Sequence, residues 1–118
     1  MFFHYLWFML LPLLGFRAPV APIQKQLPKE VPVLCFHHIR PDTMRHLSPY
    51  SVTVSTFKAD MKILHDSGYH TILPDQLYDY LTKGTPLPPK PVMITFDDND
   101  GEQFTIAKPT LDQYGFKG

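Results

Sequence analysis

Residues 91–104 read PVMITFDDNDGEQF, an apolar run that ends in two adjacent aspartates. The run from Val92 to Phe96 is short and rich in β-branched side chains, which is typical of a strand buried on both faces. Neighbouring side chains of a strand point to opposite faces, so Asp97 and Asp98 would diverge inside one. At the end of a strand the backbone turns, and both carboxylates can then face one cavity.

Strands and helices alternate along the rest of the chain. Three short apolar runs read as strands: residues 31–39, 69–73 and 92–96. Three segments read as helices: residues 55–66, 74–84 and 102–114. Residues 40–52 read as a polar loop, and residues 116–118 read as the start of a fourth strand. We expect the first run, VPVLCFHHI, to be buried on both faces like the third.

The predicted helices carry apolar stripes and end signals. Phe57, Met61 and Leu64 recur at the helical period, and Thr53 or Ser55 can cap the start of that helix. In the second helix the apolar side is formed by three residues, and Gly84 is its stop. Those three residues are Leu77, Tyr78 and Leu81.

Alternating strands and helices predict an α/β fold with a parallel sheet and right-handed crossovers. We expect Val33–Phe36, Thr71–Leu73 and Val92–Phe96 to be neighbouring strands. Functional residues of such folds gather at the carboxyl ends of the strands. Asp97 and Asp98 follow the third strand directly, so they are the candidate site residues.

The amino-acid composition limits which partners the chain can bind and whether it can form disulfides. Among 118 residues, 11 Lys and Arg balance 11 Asp and Glu, so no charge field favours nucleic acid. The single cysteine, Cys35, excludes an intramolecular disulfide and a zinc pattern of paired cysteines. We expect Cys35 to be a small buried hydrophobe, with a nucleophilic thiol as the alternative.

Residues 1–22 read as a signal peptide or a membrane anchor, followed by a linker over residues 23–30. The apolar run from Phe2 to Phe16 is shorter than the ~20 residues that a spanning helix needs, and it is typical of a secretory signal. The sequence therefore predicts an exported protein, in the periplasm, on the cell surface or secreted. Residues 1–16 could associate with a membrane.

The residues alone allow two interpretations of the adjacent carboxylates of Asp97 and Asp98. They repel when both are ionised, so a site that keeps both needs a cation. A metal held by one would leave the other free as a base. The alternative is a solvated loop, because Asp, Asn and Gly are common turn residues. A calcium-binding EF-hand is excluded, since Lys108 stands where that loop requires a bidentate acid.

The stretch VMITFDDNDGEQFTIAKPTLDQYGFKG resembles the first motif of the polysaccharide deacetylases, the NodB-homology domain of carbohydrate esterase family 4. Residues 95–98 match its Thr-Phe-Asp-Asp pattern, and residues 114–118 match its YGFK segment at the expected distance. The resemblance covers residues 31–118 and is nearest to exported deacetylases of β-1,6-linked N-acetylglucosamine polymers. It implies the front part of a distorted (β/α) barrel, that is, an incomplete N-terminal portion of the deacetylase domain.

The resemblance also implies roles for individual residues. Asp97 matches the family's general base, and Asp98 matches its metal-binding aspartate. The implied cofactor is a divalent metal, zinc or another first-row ion. His37 matches the histidine of a Tyr-His-x-Val pattern and would bind substrate, or it is an ordinary strand-end histidine. Asn99 stands where the family usually has glycine, and asparagine tolerates the positive φ of such a turn.

The implied activity is hydrolysis of N-acetyl groups from an amino-sugar polysaccharide. Alternatives are O-deacetylation of another polysaccharide, a non-catalytic carbohydrate-binding protein, or an inactive fragment on the same fold. The family's other metal ligands lie in a His-x-x-x-His motif further along the chain. Asp97 and Asp98 supply at most two ligands, so we expect the 118-residue chain alone to bind zinc weakly and to be inactive. Four histidines are expected to be ordinary ones: His38, His46, His65 and His70.

Overall fold

The computed structural model describes residues 30–118. The predicted leader of residues 1–22 and the linker up to residue 29 lie outside the described residues. The elements, in chain order, are β1 (Val33–Phe36), β2 (His38–Arg40), β3 (Ser51–Thr53), α1 (Val54–Asp66), β4 (His70–Thr71), α2 (Pro74–Lys83), β5 (Pro91–Phe96), a π-helical turn (Gln103–Ala107) and α3 (Lys108–Gln113).

The main sheet is parallel and has the order β1-β5-β4. Phe36 of β1 lies opposite Phe96 of β5, and His70 of β4 lies opposite Pro91 of β5. The predicted α/β fold with parallel strands and intervening helices is therefore confirmed, with the third predicted strand at the centre. The second predicted strand is shorter than expected, because only two residues of β4 pair with β5.

The predicted strand over residues 31–39 is wrong in its continuity. Pairing of β1 with β5 ends at Phe36. After His37 the chain continues as β2, which pairs in parallel with β3 in a separate two-stranded sheet. The backbone amide of His38 donates to the carbonyl of Tyr50 at 3.2 Å, which draws the chain away from the main sheet. β3 begins inside residues 40–52, the segment that was predicted as a polar loop.

Burial of β1 on both faces is also contradicted. Leu34 and Phe36 are half-buried towards the helices, whereas Val33 and Cys35 on the other face are exposed. Alternate side chains of a strand need a cover on each side, and the described elements cover only one face of β1. Cys35 is accordingly a free, exposed thiol rather than a buried hydrophobe.

α1 is built as predicted. The hydroxyl of Thr53 accepts a hydrogen bond from the amide of Thr56 at 3.2 Å, which caps the helix. Phe57 and Met61 are completely buried, and Leu64 packs beside them half-buried. The apolar stripe of α1 therefore faces the sheet.

The core lies between the main sheet, α1 and α3. The Phe57 ring meets the Phe36 ring edge-on, with centroids 5.0 Å apart, and Phe96 lies against both rings. Edge-to-face contacts of this kind add to the free energy of apolar burial. The buried cluster consists of Ile39, Phe57, Met61, Ile94, Ala107, Leu111 and Phe116.

α2 begins and ends where the sequence predicts, and Gly84 takes the left-handed conformation at its end with φ of 69°. Its apolar side is only partly packed. Leu77 is half-buried, whereas Tyr78 and Leu81 are 62% and 71% exposed. The described elements therefore leave these two side chains of α2 uncovered.

The last segment departs from a regular helix. Pro109 has no amide to donate to the carbonyl four residues before it, and the turn preceding it is π-helical. Pro109 itself lies in the first turn of α3. The expected fourth strand over residues 116–118 is not formed, because the amide of Lys117 donates to the Thr71 hydroxyl rather than to a strand carbonyl. Within residues 30–118, no helix combines the length and apolar character that crossing a membrane requires.

Candidate active site at the carboxyl ends of β1 and β5

The carboxyl ends of β1 and β5 meet at one edge of the sheet because the two strands are parallel. The amide of Asp97 donates to the carbonyl of Phe36 at 2.9 Å and continues the strand pairing by one residue. His37 follows β1 directly, so it lies beside Asp97. Cys35 and His37 are two residues apart along the strand direction and therefore share a face. The predicted site residues Asp97 and His37 are thus brought together.

A tight turn follows Asp97. Asp98 and Asn99 both have positive φ, of 69° and 50°. Asparagine and aspartate adopt this left-handed conformation more readily than other non-glycine residues. The glycine-like turn predicted at Asn99 is therefore present, and it begins one residue earlier than expected.

This turn sends the two carboxylates to different histidines. Asp97 Oδ2 lies 3.6 Å from Nε2 of His37, and Asp98 Oδ2 lies 3.7 Å from Nε2 of His38. The expectation that both carboxylates face one cavity is replaced by two neighbouring histidine–carboxylate pairs. Both aspartate side chains are more than half exposed, so solvent reaches each pair.

Cys35 joins the first pair. One ligand atom from each of Cys35, His37 and Asp97 lies within 4.8 Å of the others. This is a group of a thiol, an imidazole and a carboxylate, all of which are metal-ligand types. Asp98 is not a member of it.

A charged network supports the second pair. His38 Nδ1 donates to Asp100 at 2.5 Å, and the guanidinium of Arg40 contacts Asp100 at 3.0 Å and Glu102 at 3.1 Å. The hydrogen bond from His38 is the main cause that holds the pKa of Asp100 below its ordinary value, and the charges of His38 and Arg40 act in the same direction. With Nδ1 engaged, the ring of His38 presents Nε2 to Asp98.

Gln103 fixes the backbone on which the first pair stands. Its side-chain amide nitrogen donates to the carbonyl of Asp97 at 2.5 Å and to the carbonyl of His37 at 3.2 Å. The ends of β1 and β5 are thereby tied together beyond their last strand hydrogen bond. Gln103 belongs to the π-helical turn, a geometry that is frequent at functional sites. Gln103 was not predicted as a site residue. The signal that the sequence offers for it is its position six residues after Asp97.

A groove lies beside His37. It has a volume of about 240 Å³, and the ring of Tyr50 stands with its centroid 5.3 Å from that of His37. Tyr50 is 66% exposed, so its ring is open to a ligand. The groove is lined by Cys35, Phe36, His37, Pro49, Tyr50, Ser51 and Val52.

Of the four histidines predicted to be ordinary, three lie outside the candidate site and one belongs to it. His46, His65 and His70 are exposed. His65 packs against the ring of Tyr114, and His70 bonds to the carbonyl of Pro89, at the end of the sheet away from Asp97. His38 is the exception, because it belongs to the ionic network beside Asp98.

The donors around Asp98 fit part of a metal site. A carboxylate oxygen and an imidazole nitrogen 3.7 Å apart are close to the spacing of two ligands on one tetrahedral zinc ion, about 3.3 Å. Catalytic zinc sites use three protein ligands and keep one position for water or substrate. Asp98 and His38 offer two of these three.

The sequence and the fold are similar to those of known proteins. No family model matches the sequence. The chain is 35% identical over 97 residues to YxkH of Bacillus subtilis (strain 168), which is named provisionally as a polysaccharide deacetylase. That alignment covers 82% of this chain and 33% of the relative, so the chain spans about a third of the relative's length.

Two solved structures extend the likeness to three dimensions. The deacetylase PplD of Streptococcus pyogenes, solved with acetate, matches 74% of this chain and 39% of its own, at a TM-score of 0.61 and 26% identity. IcaB of Ammonifex degensii matches 73% of this chain and 35% of its own, at a TM-score of 0.61 and 30% identity. The sequence relative and the solved structures together support the polysaccharide deacetylase family for this chain.

Proposed function

We propose that the protein, as part of a complete domain, is a metal-dependent deacetylase that hydrolyses N-acetyl groups of an amino-sugar polysaccharide. The observation that carries the proposal is the Asp97–Asp98 pair at the carboxyl end of β5, with a histidine beside each carboxylate. The similarity to polysaccharide deacetylases supports the class of reaction. The chain spans a third of its curated relative, so the proposal concerns the complete protein.

In this proposal the two aspartates have separate tasks. Asp98, with Nε2 of His38 as the nearest nitrogen donor, would hold a divalent cation, zinc or another first-row ion. Such a cation, when bound, polarises a carbonyl and lowers the pKa of a water molecule. Asp97 accepts the proton of the attacking water as its oxygen adds to the acetyl carbon. The carbon–nitrogen bond then breaks as the amine nitrogen takes up the proton that Asp97 accepted, and acetate leaves.

His37 and Gln103 prepare Asp97 for this step. Gln103 fixes the carbonyl of Asp97, so the base is held relative to the strand ends. His37 lies 3.6 Å from the carboxylate and lines the groove with Tyr50, where it would contact the sugar. Placement of a base within hydrogen-bond reach of its proton is worth more than a small change in its pKa.

The activity is tested by acetate release from two polymers. The complete domain should release acetate from a β-1,6-linked N-acetylglucosamine polymer, and a chelator should abolish the release until zinc is restored. O-acetylated xylan is the comparison substrate. Faster release from xylan would favour O-deacetylation, and polymer binding without any acetate would favour a carbohydrate-binding protein. The 118-residue chain by itself should release no acetate.

Export is proposed on the apolar residues 1–16 and the proline-rich segment that follows. Fusion of residues 1–30 to a reporter that is active only outside the cytoplasm should give signal. Replacement of Leu10 and Leu11 by Asp should remove the signal, because charges interrupt the apolar run. A wild-type fusion that stays in the cytoplasm would contradict the proposal.

A further inference from the structure

We propose that Cys35, His37 and Asp97 form a binding site for a thiophilic divalent cation, separate from the cation that Asp98 would hold. Sequence reasoning counted only the two aspartates as metal ligands, and it placed Cys35 in the core. The structure instead exposes Cys35 on the face that carries His37 and Asp97. The described chain thus has three ligands of three different types at one place.

The distances suit a single ion. Zinc binds sulfur at about 2.3 Å and nitrogen or oxygen at about 2.0–2.1 Å, which sets the ligand atoms of a tetrahedral site about 3.3–3.6 Å apart. Nε2 of His37 and Oδ2 of Asp97 are 3.6 Å apart. All three ligand atoms lie within 4.8 Å of one another, so small side-chain rotations close the set. The fourth position is open to water.

The backbone of the site is already fixed. Cys35 pairs with Thr95 across the parallel strands, and the amide of Asp97 bonds to the carbonyl of Phe36. Gln103 ties the carbonyls of His37 and Asp97. An ion therefore orders side chains only, which lowers the entropic cost of binding.

The donor set selects the class of cation. A thiolate ligand favours zinc and softer ions over magnesium and calcium, which prefer all-oxygen sites. Binding requires the deprotonated thiol, so each ion bound displaces the thiol proton. Cadmium and cobalt(II) are suitable probes because both give absorption bands when they bind a thiolate.

An ion bound to Cys35, His37 and Asp97 would also affect catalysis, which rests on the proposed function of Asp97 as the base. The carboxylate of Asp97 cannot accept a proton from water while it is bound to a cation. Occupancy of the Cys35 site would therefore inhibit deacetylation without removing the cation at Asp98. The protein would be sensitive to excess thiophilic cations.

The test is titration of the 118-residue chain with cobalt(II) and with cadmium, followed by the thiolate–metal absorption band. We expect the band to saturate at one thiolate-bound ion per chain. Cys35→Ser should abolish the band, and His37→Ala and Asp97→Asn should each weaken affinity by at least about tenfold, since loss of even an outer-shell partner costs this much. Asp98→Asn is the matched control, an adjacent and similarly exposed carboxylate, and should leave the thiolate–metal band and the affinity that it reports unchanged. Far-ultraviolet circular dichroism checks that each variant is folded.

Two results would overturn the proposal. One is that both His37→Ala and Asp97→Asn show the absorption band and bind the ion with unchanged affinity. The thiol of Cys35 would then bind the ion without the other two ligands. The other is a loss of affinity in Asp98→Asn equal to that in Asp97→Asn, which would place the ion elsewhere. In the complete domain, excess cadmium should lower the rate of the wild type but not that of Cys35→Ser, each compared with its own cadmium-free rate. A domain that releases no acetate at all would reject the proposed function and leave the titration result intact.

Discussion

Gln103 shows how much the candidate site depends on a residue outside the four that match the Thr-Phe-Asp-Asp pattern, residues 95–98. Its amide donates to the carbonyls of His37 and Asp97, which belong to different strand ends. The location of Asp97 could be predicted from the sequence, because the carboxyl ends of parallel strands are functional positions. The separation of Asp97 from Asp98 could not, because it depends on the positive φ of Asp98. A pattern of residue types does not specify that angle.

We predict that Gln103→Leu destabilises the protein by about 1–3 kcal/mol, because a neutral hydrogen bond contributes about 0.5–1.5 kcal/mol and two are lost. Urea unfolding followed by circular dichroism measures the change. Gln113→Leu, an exposed position on α3, is the control and should change the free energy of unfolding by less than about 0.5 kcal/mol. Equal effects of the two substitutions would show that the Gln103 contacts contribute nothing.

At the scale of elements, local signals explain what could be predicted. The start of α1 follows from a capping threonine and an apolar stripe, and the end of α2 follows from Gly84. β3 was missed because three residues, Ser51–Thr53, carry too short a pattern to be distinguished from a loop. The break at His37 was missed because it depends on the bond from His38 to Tyr50, which is twelve residues away in sequence.

Asp42 supports the start of α1 from the preceding loop. Its carboxylate accepts hydrogen bonds from the hydroxyl of Ser55 at 2.5 Å and from the amide of Ser55 at 3.1 Å. The hydrogen bond from the Ser55 hydroxyl is the largest cause that lowers the pKa of Asp42 below 3.8, and the bond from its amide adds to it. A negative charge near a helix N-terminus is also favourable.

We predict that Asp42→Ala lowers the free energy of unfolding at neutral pH, and that the difference from wild type shrinks in acid. The pKa of Asp42 is lower in the folded state, so its stabilisation is complete above the ordinary value of 3.8 and is lost as the pH falls through the folded-state value. Unfolding curves between neutral pH and the acid range measure both effects. Ser55→Ala should reproduce part of the change. A difference that stays constant into acid would refute the assigned role.

At the scale of the molecule, the alternation of the three main-sheet strands with the helices was predicted correctly because the periods of the apolar pattern differ between them. Burial was predicted less well. Cys35 is exposed although it lies in an apolar run, and Leu81 is exposed although it lies on the apolar side of α2. Apolar pattern identifies a face that can be covered, whereas burial depends on which other elements lie against it. In the described residues the core is instead concentrated around Phe57.

We predict that Phe57→Ala destabilises the protein by about 3–5 kcal/mol, the range for removing a buried phenylalanine ring. Phe57 is completely buried and its ring contacts those of Phe36 and Phe96. Phe104→Ala is the matched control, since Phe104 is 70% exposed. Denaturant unfolding should show little change for the control. A loss below about 1 kcal/mol for Phe57→Ala would mean that the core is not organised around this ring.

The division of labour between the two aspartates is tested most directly by measuring bound catalytic metal and acetate release together in the complete domain. Asp97→Asn should keep the metal and lose about 10²–10⁴ in rate, the contribution of a general base. Asp98→Asn should lose the metal and the activity with it. Asp79→Asn, on α2, is the control and should change neither quantity. Loss of metal in Asp97→Asn with retention in Asp98→Asn would reverse the assignment, and no effect of either substitution would reduce the pair to a solvated loop.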